Sequence, residues 1–319
     1  MPTTESRSVP PKVELVRVDG ELDGQRIDNF LMARVKGVPR SHLYRVMRRG
    51  EVRVNKGRVK PGYRLQEGDL VRIPPLRTAA AEEAPRPPGN LLERLERSVL
   101  YEDERLIAVD KPAGLAVHGG SGLSYGLIEA MRVLRPSVDV ALVHRLDRET
   151  SGCLLLAKRR SALRELHRQL RANAVDKRYI ALLGGQLPRQ KVVVDAPLRK
   201  NTLQSGERVV RVDAAEGKAA RTIFRVLGRI AGLSLVEAEL VTGRTHQIRV
   251  HAAHLGMPVA GDEKYGDQSV NRRLRQLGLR RLFLHAAALS FALERGTGTI
   301  RIEAPLPAEL NAVISSLEP

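Results

Sequence analysis

From Arg26 to Pro39 apolar side chains recur at Ile27, Phe30, Leu31 and Val35, which is a helical period. A second short helix is expected from Ser41, carrying Leu43, Val46 and Met47, with Gly50 placed to stop it. The pattern then switches to alternation. Val52 and Val54 lead to a turn at Asn55, Lys56 and Gly57 and on to Val59, and a second turn at Glu67, Gly68 and Asp69 precedes Leu70, Val71 and Ile73. Pro74 and Pro75 close a small α/β unit spanning residues 13–77. The polar, proline-containing residues 1–12 ahead of it are expected to form a disordered tail.

Residues 78–90, rich in Ala, Glu and Pro, read as a semi-stiff linker. Over residues 91–319 short β-rich segments alternate with a few helices. The strands are expected at 106–109, 154–157, 179–183, 221–227, 234–241 and 282–293, and the helices at 126–134, 160–171, 246–255 and 270–277. Many of the connections are too short for parallel crossovers. The second domain is therefore expected to be α+β, a mainly antiparallel mixed sheet with flanking helices.

Charge changes this picture from a fold into a binding surface. The 319 residues carry 54 Lys and Arg against 36 Asp and Glu, a formal charge of +18, which calls for a polyanionic partner, nucleic acid before anionic membrane. Between Arg26 and Arg77 there are 14 Lys or Arg and 4 Asp or Glu, so +10 of the excess lies in the first unit. Arg40, Arg45, Arg48, Arg49 and Arg53, with Lys56, fall beside the apolar stripe and form a candidate phosphate-binding face. Cys153 is the single cysteine, so an internal disulfide and a multi-cysteine zinc site are excluded. No run approaches the length of an apolar membrane span, and a soluble cytoplasmic protein is expected. Aromatic residues make up 3% with no Trp, leaving few stacking platforms.

Candidate chemistry concentrates in Val143–Gly152, VHRLDRETSG, where Asp147 stands between Arg145 and Arg148. Neighbouring positive charge favours the ionised carboxylate that a nucleophile or base requires. A turn with a structural salt bridge would give the same local pattern. Three further segments accompany it. VDKPAGLAVHGG, residues 109–120, reads as a strand end followed by a rigid loop able to pass close to a ligand. Lys177, Arg178 and Tyr179 set two cations beside an aromatic at a strand start, and LVTGRTHQIRVHAAHLG, residues 240–256, offers Arg244 and Arg249.

Together these segments resemble the pseudouridine synthases of the RluA family, which isomerise uridine in RNA, and the resemblance spans nearly all of the second domain. The basic first unit resembles the small RNA-binding module named after ribosomal small-subunit protein S-four. HGGSGLSYGLIEAMR, residues 118–132, looks like the RluC branch, whose members modify large-subunit (23S) ribosomal RNA. The resemblance implies that Asp147 is the catalytic aspartate, that Tyr179 contacts the base, and that Arg249 pairs with the aspartate through a bidentate ion pair. It implies that Arg145 helps displace the target nucleotide from its stack, and that neither a cofactor nor a metal takes part.

Rival readings differ in what they require. A retaining glycosidase needs two carboxyls opposed across its substrate, about 5 Å apart, whereas Asp147 and Glu149, two apart in a strand, would share a face. A metal hydrolase would draw on His246, His251 and His254, which lack the acid of a zinc-protease helix. A synthase of the same kind could act on transfer RNA instead. A non-catalytic protein of ribosome assembly would keep the basic first unit, but an intact Asp147 motif disfavours it.

Overall fold

The computed structural model describes residues 13–35, 38–76, 86–119, 124–202, 208–293 and 298–318. The expected tail and all but the last five residues of the expected linker lie outside them. The chain divides into two compact units, Met1–Pro85 and Arg86–Pro319.

The first unit runs β1 (Glu14–Arg17), α1 (Ile27–Arg34), α2 (Arg40–Arg49), β2 (Arg53–Val54), β3 (Gly57–Arg58) and β4 (Leu70–Ile73). Its four strands form an antiparallel sheet in the order β1-β4-β2-β3. Ile27, Phe30 and Leu31 of α1 and Leu43, Val46 and Met47 of α2 pack on Val54, Val71 and Ile73, the positions at which the helical and alternating periods predict a core. Gly50 ends α2 at φ 73°, the left-handed conformation that the helix stop requires. Asn55 and Lys56 have φ of 48° and 68°, which two-residue hairpin turns demand at both central positions. Buried Asp28 accepts hydrogen bonds from Arg26 Nη2 and from the Tyr44 hydroxyl, both at 2.7 Å, and so joins α1 to α2. Its carboxyl is drawn down to about 2 by the hydrogen bond from Arg26. The short edge strand β1 is not predicted by the pattern, because ELVR, alternating with charges, gives too short a signal.

The second unit runs α3 (Gly89–Arg97), β5 (Val99–Glu102), β6 (Leu106–Lys111), α4 (Leu127–Leu134), β7 (Ala141–Leu142), β8 (Ser151–Ala157), α5 (Arg160–Arg171), β9 (Asp176–Leu183) and β10 (Lys191–Asp195). It continues through β11 (Leu198–Thr202), β12 (Arg208–Val212), β13 (Arg221–Ile230), β14 (Leu233–Leu240), α6 (Gln247–His254), α7 (Gln268–Gln276), β15 (Leu284–Phe291), β16 (Ile300–Glu303) and α8 (Ala308–Leu317). One mixed sheet of ten strands has the order β10-β13-β14-β9-β15-β8-β6-β5, with β16 added to β15 and β7 to β8. All its pairings are antiparallel except β15 with β8. This is the α+β architecture with flanking helices that the sequence pattern predicts. Helix α3 starts two residues inside the segment expected as linker, because Leu95 is drawn into the core and Leu91 and Leu92 pack against it.

The strands are apolar on both sides because helices cover both faces of the sheet. Leu154 and Leu156 of β8 point to one layer with α3, α4 and α6. Cys153, Leu155 and Ala157 point to the other with α5. At the far end of that second layer Leu274 of α7 and Leu310 and Val313 of α8 cover Leu182 and Leu233. The parallel join of β15 to β8 depends on Gly152: at φ 108°, an added Cβ there would lie 2.2 Å from the carbonyl oxygen of Ala286. That close approach sets the end of the loop that precedes β8, the loop carrying Asp147.

Candidate active site

A cavity of about 530 Å³ opens where three segments converge: the loop between β7 and β8, the end of α5 with the start of β9, and the turn from β14 into α6. Its floor is apolar, built from Leu146, Tyr179, Leu240, Ile248 and Leu284, all members of one core layer. Asp147 and Arg145 enter from the first segment, Arg171 and Lys177 from the second, and Arg244, His246 and Arg249 from the third.

The loop between β7 and β8 is held from behind. Lys111 has no exposed surface and its ammonium donates to the carbonyls of Pro112 at 3.0 Å, Leu115 at 2.9 Å and Arg148 at 3.0 Å. Burial pushes this amine down to about 7, while three acceptors, one for each N–H of an ammonium, oppose loss of the proton. Arg148 Nε donates to the Gly114 carbonyl, and the Gly114 N–H donates to that of Arg148, both at 2.9 Å. On the other side Arg281 Nη2 donates to Ser151 Oγ at 2.9 Å. The loop of residues 109–119, expected to pass close to a ligand, instead braces the Asp147 loop, and none of its residues lines the cavity.

Arg249 lies in the first turn of α6. Its bidentate partner is Asp262, with Nε to Oδ2 at 2.6 Å and Nη2 to Oδ1 at 2.8 Å. The expected bidentate pair with Asp147 is not formed; Nη1 reaches Asp147 Oδ2 at 3.5 Å. Asp262 is the better anchor because its side chain is fully buried and the backbone N–H groups of Lys264 and Tyr265 also converge on its Oδ1. Burial by itself would raise the Asp262 carboxyl, but the Arg249 guanidinium and these N–H groups together outweigh it and hold the carboxyl below its ordinary range. Asp262 gives no sequence signal beyond an acid in a Gly-rich turn, and only the distance to Arg249 reveals it.

His246, at φ 53°, caps α6 and turns its ring into the cavity. Nε2 lies 3.7 Å from Asp147 Oδ2 and Nδ1 lies 2.8 Å from the Tyr265 hydroxyl. Burial lowers its pKa. Tyr265 also carries the Arg249 guanidinium over its ring, 5.1 Å from the centroid. His144, by contrast, accepts a hydrogen bond at Nε2 from the Leu155 N–H at 3.1 Å, and burial depresses it to about 4, so it is a neutral packing histidine. His251 is fully buried between Thr222 Oγ1 and the Ala196 carbonyl, each 2.9 Å away. Among the described residues no group of three His, Cys, Asp or Glu is arranged to hold a metal ion.

Tyr179 is buried in the cavity floor, and burial raises its hydroxyl pKa. Lys177 shares its side of β9, and Arg178 on the other side is committed to Asp176, Glu237 and Glu239. Asp147 and Glu149 lie in a loop and turn rather than a strand, and they part company there: Asp147 lines the cavity and Glu149 a neighbouring groove. They do not face each other across one space, as a glycosidase pair would. In the first unit Arg45, Arg48, Arg49, Arg53 and Lys56 are exposed, and Arg40 opens α2. Arg53 Nε donates to the Gly50 carbonyl at 3.1 Å.

Residues 105–254 match the RNA pseudouridylate synthase family, and residues 25–71 match the S4 domain. The chain is 52% identical to the ribosomal large subunit pseudouridine synthase C of Pasteurella multocida, covering 96% of this chain and 94% of that protein. To the protein of the same name from Escherichia coli it is 53% identical, covering 96% and 97%. The solved structure of human RNA pseudouridylate synthase domain containing 4 superposes with a TM-score of 0.60 at 26% identity, covering 72% of this chain and 95% of that one.

Proposed function

This chain belongs to the RNA pseudouridylate synthase family, and we propose on that premise that it isomerises uridines in large-subunit (23S) ribosomal RNA, with Asp147 acting on the ribose of a flipped-out nucleotide. The assignment of Asp147 is carried by its place: among the described residues lining the cavity it alone is a carboxylate, and Arg249 and His246 both approach it within 4 Å. The choice of RNA rests on relatives named for the ribosomal large subunit that match over both units at 52% and 53% identity. A protein acting on that RNA works in the cytoplasm, and no described helix is long and apolar enough to cross a membrane.

The reaction breaks the bond between uracil N1 and ribose C1′, turns the base and joins its C5 to C1′. The C5 proton leaves and N1 gains one, so there is no net redox change. A carboxylate beside C1′ serves either by bonding to that carbon or by taking the proton from C2′. Both routes need it on the same sugar, and both need water kept away from the intermediate. Leu146, Leu240, Ile248 and Leu284 provide the apolar walls, and Tyr179 offers a ring against which the detached uracil stays in place. Arg249, oriented by Asp262, directs Nη1 at Asp147. Extracting a nucleotide from its stack costs a few kcal/mol. Exposed Arg145 at the cavity rim and the basic face of the first unit offset that cost through phosphate contacts.

Carbodiimide labelling and primer extension on ribosomal RNA and, separately, on transfer RNA, each treated with wild type or with Asp147→Asn, tests this reading. New stops in large-subunit RNA are expected with wild type and not with the variant. Stops confined to transfer RNA would change the substrate, and Asp147-independent stops would remove its assigned role.

A further inference from the structure

Two grooves continue from the catalytic cavity along α7. The first, of about 340 Å³, shares Arg249 with the cavity and is lined by Arg275, Arg280 and Arg281. The second, of about 560 Å³, shares Lys264, Asn271 and Arg275 with the first and adds Arg272. The acids in these grooves are Glu149, Asp262 and Glu263, of which Asp262 is already neutralised by Arg249. Leu274 faces the core from α7, so Arg272 and Arg275, three residues apart, emerge together on the side away from it.

The basic helix α5 is neutralised in part from within the unit. On α5, Arg160 pairs with Asp139 at 3.1 Å and Arg168 with Glu165 at 2.7 Å. Along α7 the balance differs. Among the described residues neither Arg272 nor Arg280 forms an ion pair within 4 Å, although the Asp267 carboxylate acts on Arg272 from farther away, and Arg275 has a 3.5 Å contact with Glu263, whose side chain is 85% exposed. The row is also tied to the chemistry. Asn271 of α7 accepts from the Gly261 N–H at 2.8 Å and donates to the Asp262 carbonyl at 3.0 Å, and Asp262 orients Arg249. The helix that carries Arg272 and Arg275 is thus anchored to the segment that orients Arg249.

We propose that Arg272, Arg275 and Arg280 form a second RNA-binding surface, which takes the phosphodiester backbone of the single strand flanking the target nucleotide. This rests on the reading of Asp147 as the residue acting on RNA, since the grooves then begin where the flipped nucleotide rejoins its strand. A flexible strand crossing the cavity rim meets guanidiniums in succession, and each phosphate it places there releases condensed counterions.

The test is equilibrium binding of the full-length protein to transcribed large-subunit ribosomal RNA at 50 and 200 mM KCl. Wild type is compared with the triple variant Arg272→Gln, Arg275→Gln, Arg280→Gln and with a charge-matched control, Arg97→Gln, Arg168→Gln, Arg301→Gln. Three single-strand contacts carry a salt slope of about 2, so the advantage of wild type over the α7 variant should shrink about 16-fold between the two salts. The control should keep the wild-type slope. An unchanged slope in the α7 variant, or an equal loss in both triples, overturns the proposal, the first assigning the face to a non-RNA partner and the second to net charge alone. Crosslinks from 4-thiouridine RNA to residues 268–281 of wild type are expected, and their absence counts against the surface equally. Pseudouridine formation on the same RNA separates the two ideas: wild type that binds but does not modify refutes the catalytic reading, while a fully active enzyme with the slopes unchanged refutes the α7 surface alone.

Discussion

Arg249 and Asp262 form a short bidentate pair beside the cavity, with contacts of 2.6 and 2.8 Å, while Asp147 receives a single contact at 3.5 Å from the same guanidinium. Asp147 is therefore left with room to approach a substrate instead of being locked in an ion pair. Asp262→Asn keeps the shape of the anchor and removes its charge. The expected result is a fall in kcat of about tenfold or more, equivalent to at least about 1.4 kcal/mol, with KM for RNA little changed. Tritium release from 5-tritiated uridine in RNA measures it. An unaltered kcat would mean that Arg249 needs no anchor.

Lys111 is expected to act on stability as well as activity. Lys111→Met removes the ammonium that donates to the carbonyls of Pro112, Leu115 and Arg148; the Arg148 carbonyl keeps the Gly114 N–H, and the other two lose this donor at about 1–3 kcal/mol each. Urea unfolding should show a loss of about 2 kcal/mol or more. A loss under about 1 kcal/mol would show that the loop closes without this ammonium.

Histidines depressed by burial set an acid limit, fully buried His285 and half-buried His144 foremost. His285 donates from Nε2 to the Ala304 carbonyl and accepts from Ser151 at Nδ1, and burial depresses it from 6.5 to about 4; His144 is depressed to about 4 likewise. Between pH 6.5 and 4 the unfolded chain binds protons that the folded chain refuses. Stability is thus complete above pH 6.5 and falls as the pH drops toward 4, by up to about 1.4 kcal/mol per pH unit for each histidine. His285→Gln keeps a donor and an acceptor and should make that slope shallower in thermal or urea unfolding at pH 6 and 5. An identical slope in the variant would assign the acid limit elsewhere.

The basic face of the first unit is tested by Arg45→Gln, Arg48→Gln, Arg49→Gln. These side chains are exposed and their loss should leave unfolding within about 0.5 kcal/mol. The salt slope of RNA binding should fall by about 2. A slope equal to wild type would leave this unit without the phosphate-binding role its charge suggests.

Much of this molecule is written in short-range pattern. Helix α5 spans Arg160–Arg171, both ends as the 3.6-residue spacing of its apolar positions predicts, and Gly50 stops α2 because the required left-handed turn is a local property. The motif holding Asp147 is legible for the same reason, since its flanking arginines are chain neighbours. The start of α3 reads as linker and α8 leaves no clear pattern, because each is a helix only where it lies against the sheet. Partner choice lies beyond the sequence altogether. Two aspartates, 102 and 13 residues from Arg249, compete for one guanidinium, and the backbone N–H groups that converge on Asp262 decide between them. The sequence by itself determined which groups were available and which elements would carry them; the tertiary structure decided which groups meet, because hydrogen-bond selection depends on distances of a few tenths of an ångström between segments far apart in the chain.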